Sequence, residues 1–245
     1  MSILSHVLCS GMFFPNHIVV THDVKSERVI LPDLDALIDQ EWARQQELAR
    51  ERGLPLYDAN VYRLNDVTAG DDGLALHLAP EPYRAHATMK TLHVMPMIQD
   101  EHVDRVLVAD ALIRTRDNMF LFGHIQKLIE TRTYLIGSTC TPERQVIATA
   151  SDLWKYVLQR VDLVLGIGQK RIWVGPLLGF VQDEVGCVHA IFDTEVDATH
   201  EEILERFQPG NGVGGLECVP ADQLLPFLEA GEGYVPAVAA ILAGR

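Results

Sequence analysis

The order of strand-like and helix-like segments after Val103 constrains the fold more than any other feature of the sequence. Two apolar runs joined by the turn TRDN are followed by a third; these runs are VDRVLVADALIR, MFLFGHI and TRTYLIGS. The pattern then predicts a helix around 152–161 and two further strands joined by the turn DEVG, namely RIWVGPLLGFVQ and CVHAIFDTEV. Strands and helices mix without strict alternation, which predicts an α/β sandwich with a mixed sheet.

The last segments of the chain complete this sandwich. Thr199 is placed to cap a helix that runs to Phe207, and Glu202 stands at the position that a capping box requires. A strand is predicted for GGLECVP. Two final helices are predicted to begin at Pro220 and Pro236, because proline is favoured in the first turn of a helix.

The first hundred residues carry a separate α+β pattern. Two strands are predicted around a turn at Pro15-Asn16, and the clearest helix of the chain is LPDLDALIDQEWARQQELARERGLP. A hairpin then follows across TAGDDG, between NVYRLNDV and GLALHLA, and a short helix comes after it. We therefore predict an N-terminal α+β extension over 1–102 and a core domain over 103–245.

The charge of the chain limits its partners. It has 34 acidic and 20 basic side chains among 245 residues and a net charge of −14, which argues against general binding to a nucleic-acid backbone. No apolar run reaches the ~18 residues of a membrane helix, so we expect no membrane partner and a cytoplasmic location. The four cysteines lack zinc-site spacing, and the expected state is reduced thiols.

One motif combines a glycine, a glutamate and a helix. Gly137 is followed six residues later by Glu143, and the helix that begins about eight residues further on carries Asp152 and Lys155 on one face. Gln159 continues this polar stripe. The stripe has two readings, a ligand-binding surface or the solvated face of an amphipathic helix.

The order of elements, together with this motif, resembles the Nudix hydrolase superfamily, whose box is G-x5-E-x7-R-E-U-x-E-E-x-G-U with U an aliphatic residue. The resemblance covers 103–245 in layout. It implies a Nudix-like α/β/α sandwich and a small-molecule substrate, a nucleoside diphosphate-linked compound that is split at the pyrophosphate with Mg²⁺. Gly137 and Glu143 match the box, but Lys155 and Tyr156 stand where it has two metal-binding glutamates.

The resemblance also assigns roles to single residues. Glu143 and Asp152 would hold the metal and take part in catalysis, and Glu184 in the DEVG turn would be a further catalytic carboxylate. The alternative is that Glu143 is a residue of a solvated loop and that Glu184 is a residue of a polar hairpin turn, neither with a catalytic role. Gly137, Lys155 and Gln159 would contact the substrate. Lys155 either replaces part of the cation's charge or forms a plain surface pair with Asp152.

The N-terminal region is similar to the leader of Nudix pyrophosphatases that split UDP-glucose and UDP-galactose. The residues that follow that pattern are Trp42, Tyr57, Arg63, Leu64, Tyr83 and Arg84. This resemblance implies a nucleotide sugar as the substrate and Arg84 as a substrate-binding residue. The same region could instead build a homodimer interface.

Two functions remain open from the sequence. One is a divergent Nudix-superfamily protein that binds, and still hydrolyses, a nucleoside diphosphate-linked compound. The other is a catalytically inactive protein of the same fold, acting as a nucleotide sensor or as an assembly subunit. The missing glutamates of the box helix are common to both, and metal-dependent turnover distinguishes them.

Overall fold

The computed structural model describes residues 5–23, 32–53, 56, 58–70, 73–94, 105–126 and 131–244. Tyr57 and the predicted domain boundary at 102/103 lie outside these residues. The strands are β1 (His6–Phe13), β2 (Ile18–His22), β3 (Asn60–Gly70), β4 (Gly73–Pro82), β5 (Leu107–Thr115), β6 (Met119–Gln126), β7 (Thr131–Tyr134), β8 (Ile136–Thr139), β9 (Ile172–Gln182), β10 (Val188–Val196) and β11 (Val213–Pro220). The helices are α1 (Pro32–Glu51), α2 (Tyr83–Val94), α3 (Ala150–Leu165), α4 (His200–Arg206), α5 (Leu224–Glu229) and α6 (Val235–Ala243).

An eight-stranded mixed sheet forms the centre of the molecule. Its main path runs β1-β9-β10-β5-β6-β11, with β8 paired to β5 and β7 paired to β6. The β5–β10 pair is parallel, and its neighbours in the path are antiparallel. One face of this sheet packs against α3, and the other face packs against α5 and α6. The predicted α/β/α sandwich with a mixed sheet is therefore confirmed.

Helix α3 is longer than the predicted 152–161 and covers one face of the sheet. Leu153, Val157 and Val161 recur at helical spacing, are buried, and join the core with side chains of β5 and β10. Gly166 ends the helix in the left-handed conformation, with φ of 64°, which glycine adopts without a Cβ clash. The apolar stripe thus fixes which side chains of α3 point away from the core.

A second, three-stranded sheet has the order β2-β4-β3, and α1 packs on α2 beside it through Ile38, Met89 and Leu92. The predicted β3–β4 hairpin is confirmed. The predicted strands around Pro15-Asn16 are also present, but they do not pair, because β1 joins the large sheet and β2 joins the small one. The division into 1–102 and 103–245 stays a prediction.

Two further predictions were wrong in detail, and one was confirmed. The segment TRTYLIGS is two short strands, because the chain leaves β6 after Tyr134 and pairs with β5 from Ile136. The helix predicted from Pro220 begins as a 3₁₀ turn over Ala221–Gln223 before α5. The cap of α4 is as predicted, since the Thr199 hydroxyl accepts from the main-chain N of Glu202 at 3.2 Å.

None of the helices in the described ranges is long and apolar enough to cross a membrane. All four cysteines are free thiols, and Cys140 and Cys187 are buried.

Gly137 is required by the close approach of β8 to β5. A Cβ added at residue 137 would lie 1.6 Å from Asp110 Oδ1 and 2.5 Å from the carbonyl oxygen of Ala109. We expect Gly137→Ala to destabilise the protein by about 1 to 3 kcal/mol or more, the usual cost of overpacking. Thermal unfolding would then show a fall in Tm of roughly 2 °C or more.

Gly70→Ala is the matched control for that substitution. Gly70 also lies in a β-strand, as the last residue of β3, but a Cβ there would meet nothing within 4 Å. We expect its Tm to stay within about 1 °C of the parent. Equal Tm values for the two variants would contradict the steric role of Gly137.

Candidate functional site

Asp152 lies in the first turn of α3, where its carboxylate caps the helix. Its Oδ2 accepts hydrogen bonds from the main-chain N of Ala148 at 3.1 Å and of Thr149 at 2.9 Å, and from the Thr149 hydroxyl at 2.9 Å. Main-chain N–H groups at a helix start lack partners within the helix, so an acceptor here stabilises α3. One oxygen of Asp152 is therefore engaged by the fold.

The second oxygen of Asp152 faces Lys155 and Gln145. Lys155 Nζ lies 2.8 Å from Oδ1, and Gln145 Nε2 lies 3.5 Å from it. The hydrogen bond from Lys155 is the main reason that the pKa of Asp152 falls to about 2, against burial and together with the bonds from Thr149. Asp152 is thus a carboxylate at neutral pH, with hydrogen bonds to both of its oxygens.

The next turns of α3 bind strand β8 and a loop. The hydroxyl of Tyr156 donates to the carbonyl oxygen of Thr139. Arg160 Nε donates to the carbonyl oxygen of Gly137 at 2.9 Å, and its Nη2 donates to the carbonyl oxygen of Asn211 at 2.9 Å. Tyr156 stands where the resemblance places a metal-binding glutamate, and it supplies a hydrogen-bond donor there instead.

The structure brings some of the predicted site residues together. Asp152 and Lys155 are in contact, as their spacing predicted, and Gln159 reaches the same group through Gln145 at 3.5 Å. Gly137 lies beneath this face of α3, where its carbonyl oxygen meets Arg160. The roles of these residues in catalysis or in substrate binding stay predictions.

The other predicted residues contact different elements. Glu143 is exposed, and its Oε1 accepts from the main-chain N of Asn60 at 3.0 Å. Glu184 lies 3.7 Å from Arg132 in an ion pair at the β9–β10 turn. Arg84 pairs with Asp39 on α1 at 3.0 Å. Their proposed roles also stay predictions.

The side chains on α3 do not fit the Mg²⁺ that the resemblance implies. Magnesium needs several oxygen ligands in octahedral geometry. This face of α3 offers a capping carboxylate, an ammonium, a phenol and a guanidinium. Within the described ranges, no three or more His, Cys, Asp or Glu side chains are grouped so that they could hold a metal ion.

A buried ionic cluster, whose residues the sequence patterns did not indicate, lies on the opposite face of β5. His189 Nδ1 is 2.6 Å from Asp110 Oδ2, and His189 Nε2 is 3.3 Å from Asp183 Oδ2. The ring of Tyr234 stacks on His189 with centroids 3.7 Å apart. The available signal was an ionisable residue in the middle of each apolar strand, in LVADALI and CVHAIF.

The cluster holds a charged histidine. Burial disfavours the imidazolium, but Asp110 and Asp183 outweigh it through charge and hydrogen bonds and raise the pKa of His189 to about 9. Burial, followed by the charge of Asp110, raises the pKa of Tyr234, so that its phenol stays neutral. The cluster connects β5, β10, the β9–β10 turn and Tyr234, the residue that precedes α6, which is a structural role.

No protein-family model matches the sequence, and no curated protein matches it. Several solved structures are similar in fold. One is the Nudix hydrolase RenU from M. smegmatis, with 11% sequence identity and a TM-score of 0.40 over 57% of this chain and 84% of that chain. Another is the C. elegans Ap4A hydrolase, with 12% identity and a TM-score of 0.38 over 57% of this chain and 99% of that chain. A third is a Nudix-family hydrolase from Clostridium perfringens, with 11% identity and a TM-score of 0.35 over 58% of this chain and 99% of that chain. With TM-scores below 0.5, these likenesses carry no information about activity.

Asp152 and Lys155 should differ in their effect on stability. Asp152→Ala removes the acceptor for three donors at the start of α3, and we expect a loss of about 0.5 to 2 kcal/mol, as for a helix cap. Lys155→Ala removes one i,i+3 ion pair whose ammonium is exposed, and such a pair is worth about 0.2 to 0.5 kcal/mol. Urea unfolding of both variants and the parent measures this. A loss for Lys155→Ala as large as that for Asp152→Ala would contradict the capping role.

His189 should make the stability of the protein depend on pH. Its folded pKa of about 9 lies above the unfolded value of about 6.5. The contribution of the imidazolium is therefore fully present below about pH 6.5 and is lost as the pH rises through about 9. Urea midpoints of the parent should fall across this range.

His189→Asn should have lower stability at pH 6 and a flatter profile from about pH 6.5 to 9. The control is His6→Asn, which replaces an exposed histidine of β1 and should keep the parent's profile. A profile for His189→Asn as steep as that of the parent would show that another group titrates.

Proposed function

We propose that the protein binds a nucleoside diphosphate-linked compound at the loop that precedes α3, without hydrolysing it through a metal held by α3. The observation that supports this proposal is the set of hydrogen bonds made by the side chains of α3. The Asp152 carboxylate accepts hydrogen bonds from the main-chain N of Thr149, at the start of α3, and from Lys155. The Arg160 guanidinium donates a hydrogen bond to the carbonyl oxygen of Gly137.

Two guanidinium groups supply positive charge at this loop. Arg144 Nη1 donates to the Ser138 hydroxyl at 3.3 Å, and Arg160 is buried beside the same strand. Burial, followed by the charge of Arg144, lowers the pKa of Arg160, so the two groups lie close enough to repel each other. Neither makes a salt bridge with a carboxylate in the described part of the chain. A diphosphate between them would relieve this repulsion.

The hydroxyl groups of Ser138 and Tyr156 add neutral polar atoms to the same surface, 3.2 Å apart. Burial raises the pKa of Tyr156, so its phenol stays protonated at neutral pH. The Tyr156 hydrogen is already donated to the carbonyl oxygen of Thr139, so the Ser138 hydroxyl is the group that turns toward the ligand. Phosphate oxygens accept hydrogen bonds from a hydroxyl as well as from guanidinium groups. The loop therefore offers charge and donors to a diphosphate without a divalent cation. The sugar-nucleotide resemblance of the N-terminal region makes UDP-glucose the first compound to test.

Binding and turnover should be measured on the same protein. We expect calorimetry to detect binding of UDP-glucose or ADP-ribose in EDTA, because the charge is supplied by arginine. We expect turnover with Mg²⁺ or Mn²⁺ far below ~10 per second, a typical enzyme value. Turnover near that rate, or binding that requires the metal, would refute the proposal.

Arg144→Ala tests the place of binding. Loss of a charged hydrogen bond to phosphate should weaken the affinity by about 1.5 to 3 kcal/mol. Arg50→Ala is the control, since it removes an exposed arginine from α1. Lys155→Ala distinguishes the two roles considered for that residue. If Lys155 contacts the phosphate, the variant should lose a similar amount of binding affinity, and if Lys155 forms only a surface pair with Asp152, the affinity should not change.

A further inference from the structure

A cleft of about 560 Å³ lies at the end of the large sheet where β5 and β10 finish and β9 begins. It is formed by the β5–β6 turn, the first residues of β9 and the last residues of β10. The cationic and aromatic residues that line it are Arg114, Arg116, Lys170, Arg171 and Trp173. Its volume falls within the ~300 to 1,000 Å³ of small-molecule sites.

Cationic side chains outnumber carboxylates in the lining of the cleft, although the net charge of the chain is −14. Four cationic side chains line it, together with only two carboxylates, and Glu202 lies beside it. Arg116 shares its guanidinium between Asp197 at 3.2 Å and Glu202 at 3.3 Å. Lys170 is exposed, and its ammonium has no ion pair or hydrogen bond within the ranges that the structure describes. A cation is therefore available for a ligand.

An exposed indole lies beside these charges. Trp173 is 54% exposed, whereas Trp42 is buried and Trp154 donates its Nε1 to the carbonyl oxygen of Gly175 at 2.7 Å. A Cβ at Gly175 would come within 2.7 Å of the Trp173 ring, so the glycine lets the ring lie along the strand. An indole held in this way leaves one face open for stacking with a planar ring.

The walls of the cleft are held in place before any ligand arrives. Asp117 in the β5–β6 turn accepts from the Thr115 hydroxyl at 2.6 Å and from the main-chain N of His200 at 3.0 Å. Glu195 on β10 pairs with Arg114 on β5 and fixes its direction. Preorganised groups of this kind lose little freedom on binding.

We propose that this cleft binds a small anion carried on a planar aromatic ring, which is the chemistry of a nucleoside monophosphate. The ring stacks on Trp173, and the phosphate contacts Lys170 and Arg116. A polyanion such as nucleic acid is disfavoured by the net negative charge of the whole chain.

This site is separate from the loop that precedes α3. Gly137 pairs with Asp110, and Arg114 lies four residues further along β5, which is about 13 Å at the rise of an extended strand. The inference does not depend on the proposed diphosphate site, and variants of the two places distinguish them.

Tryptophan fluorescence measures this binding directly, because Trp173 is the exposed indole. Titration with AMP or UMP should give saturable quenching, and adenosine or inorganic phosphate alone should bind about 10-fold more weakly or worse, since each lacks half of the contacts. Trp173→Leu should remove the quenching. Equilibrium dialysis with labelled AMP should show weaker binding by the same variant.

Three variants locate the site. Lys170→Ala should weaken AMP binding about 10-fold, the effect of losing one charged contact. Arg50→Ala on α1 and Arg144→Ala at the other loop should bind AMP as the parent does. The inference is overturned by no saturation up to about 10 mM nucleotide, by equal binding in Lys170→Ala and the parent, or by loss of binding in Arg144→Ala.

Discussion

The pairing of Asp110 with His189 is the constraint on which the centre of the sheet depends. An unpaired charge at these buried positions costs several kcal/mol, so the carboxylate and the imidazolium must meet. Their contact fixes the parallel alignment of β5 and β10, where Ala109 faces Ala190 in the register. Asp110 also fills the space beneath residue 137, which leaves room only for glycine. The start of the loop that precedes α3 is thus set by Asp110, the member of this pair that lies on the neighbouring strand β5.

Hydrophobic periodicity predicted the elements well and their partners poorly. The apolar stripe of α3 and the cap of α4 follow from local spacing, and both are present. The pattern of TRTYLIGS shows one apolar run, but a strand can change its neighbour without any change in alternation, as happens at Leu135. For the same reason the sequence did not show that β1 and β2 belong to different sheets. Pairing partners are a property of the whole fold.

The candidate site was predictable in its spacing and not in its bonds. The contact between Asp152 and Lys155 follows from their separation of three residues on a helix. The capping bonds of Asp152 depend on the conformation of the chain before α3, which no spacing reveals. The sequence does not single out Arg160, because a lone arginine on a helix is common on solvated faces. Only its burial against the carbonyl oxygens of Gly137 and Asn211 shows its importance.

The place of β1 in the large sheet has a consequence for the order in which the molecule assembles. His6 pairs with Gln182, so the strand nearest the start of the sequence joins one that is far along the chain. During synthesis, β1 has no partner until β9 has left the ribosome, and the backbone N–H and C=O groups of β9 form an open sheet edge until β1 arrives. Pairing over such a sequence distance raises the contact order, a property that slows folding. The final closure of this edge therefore belongs to a late stage of folding.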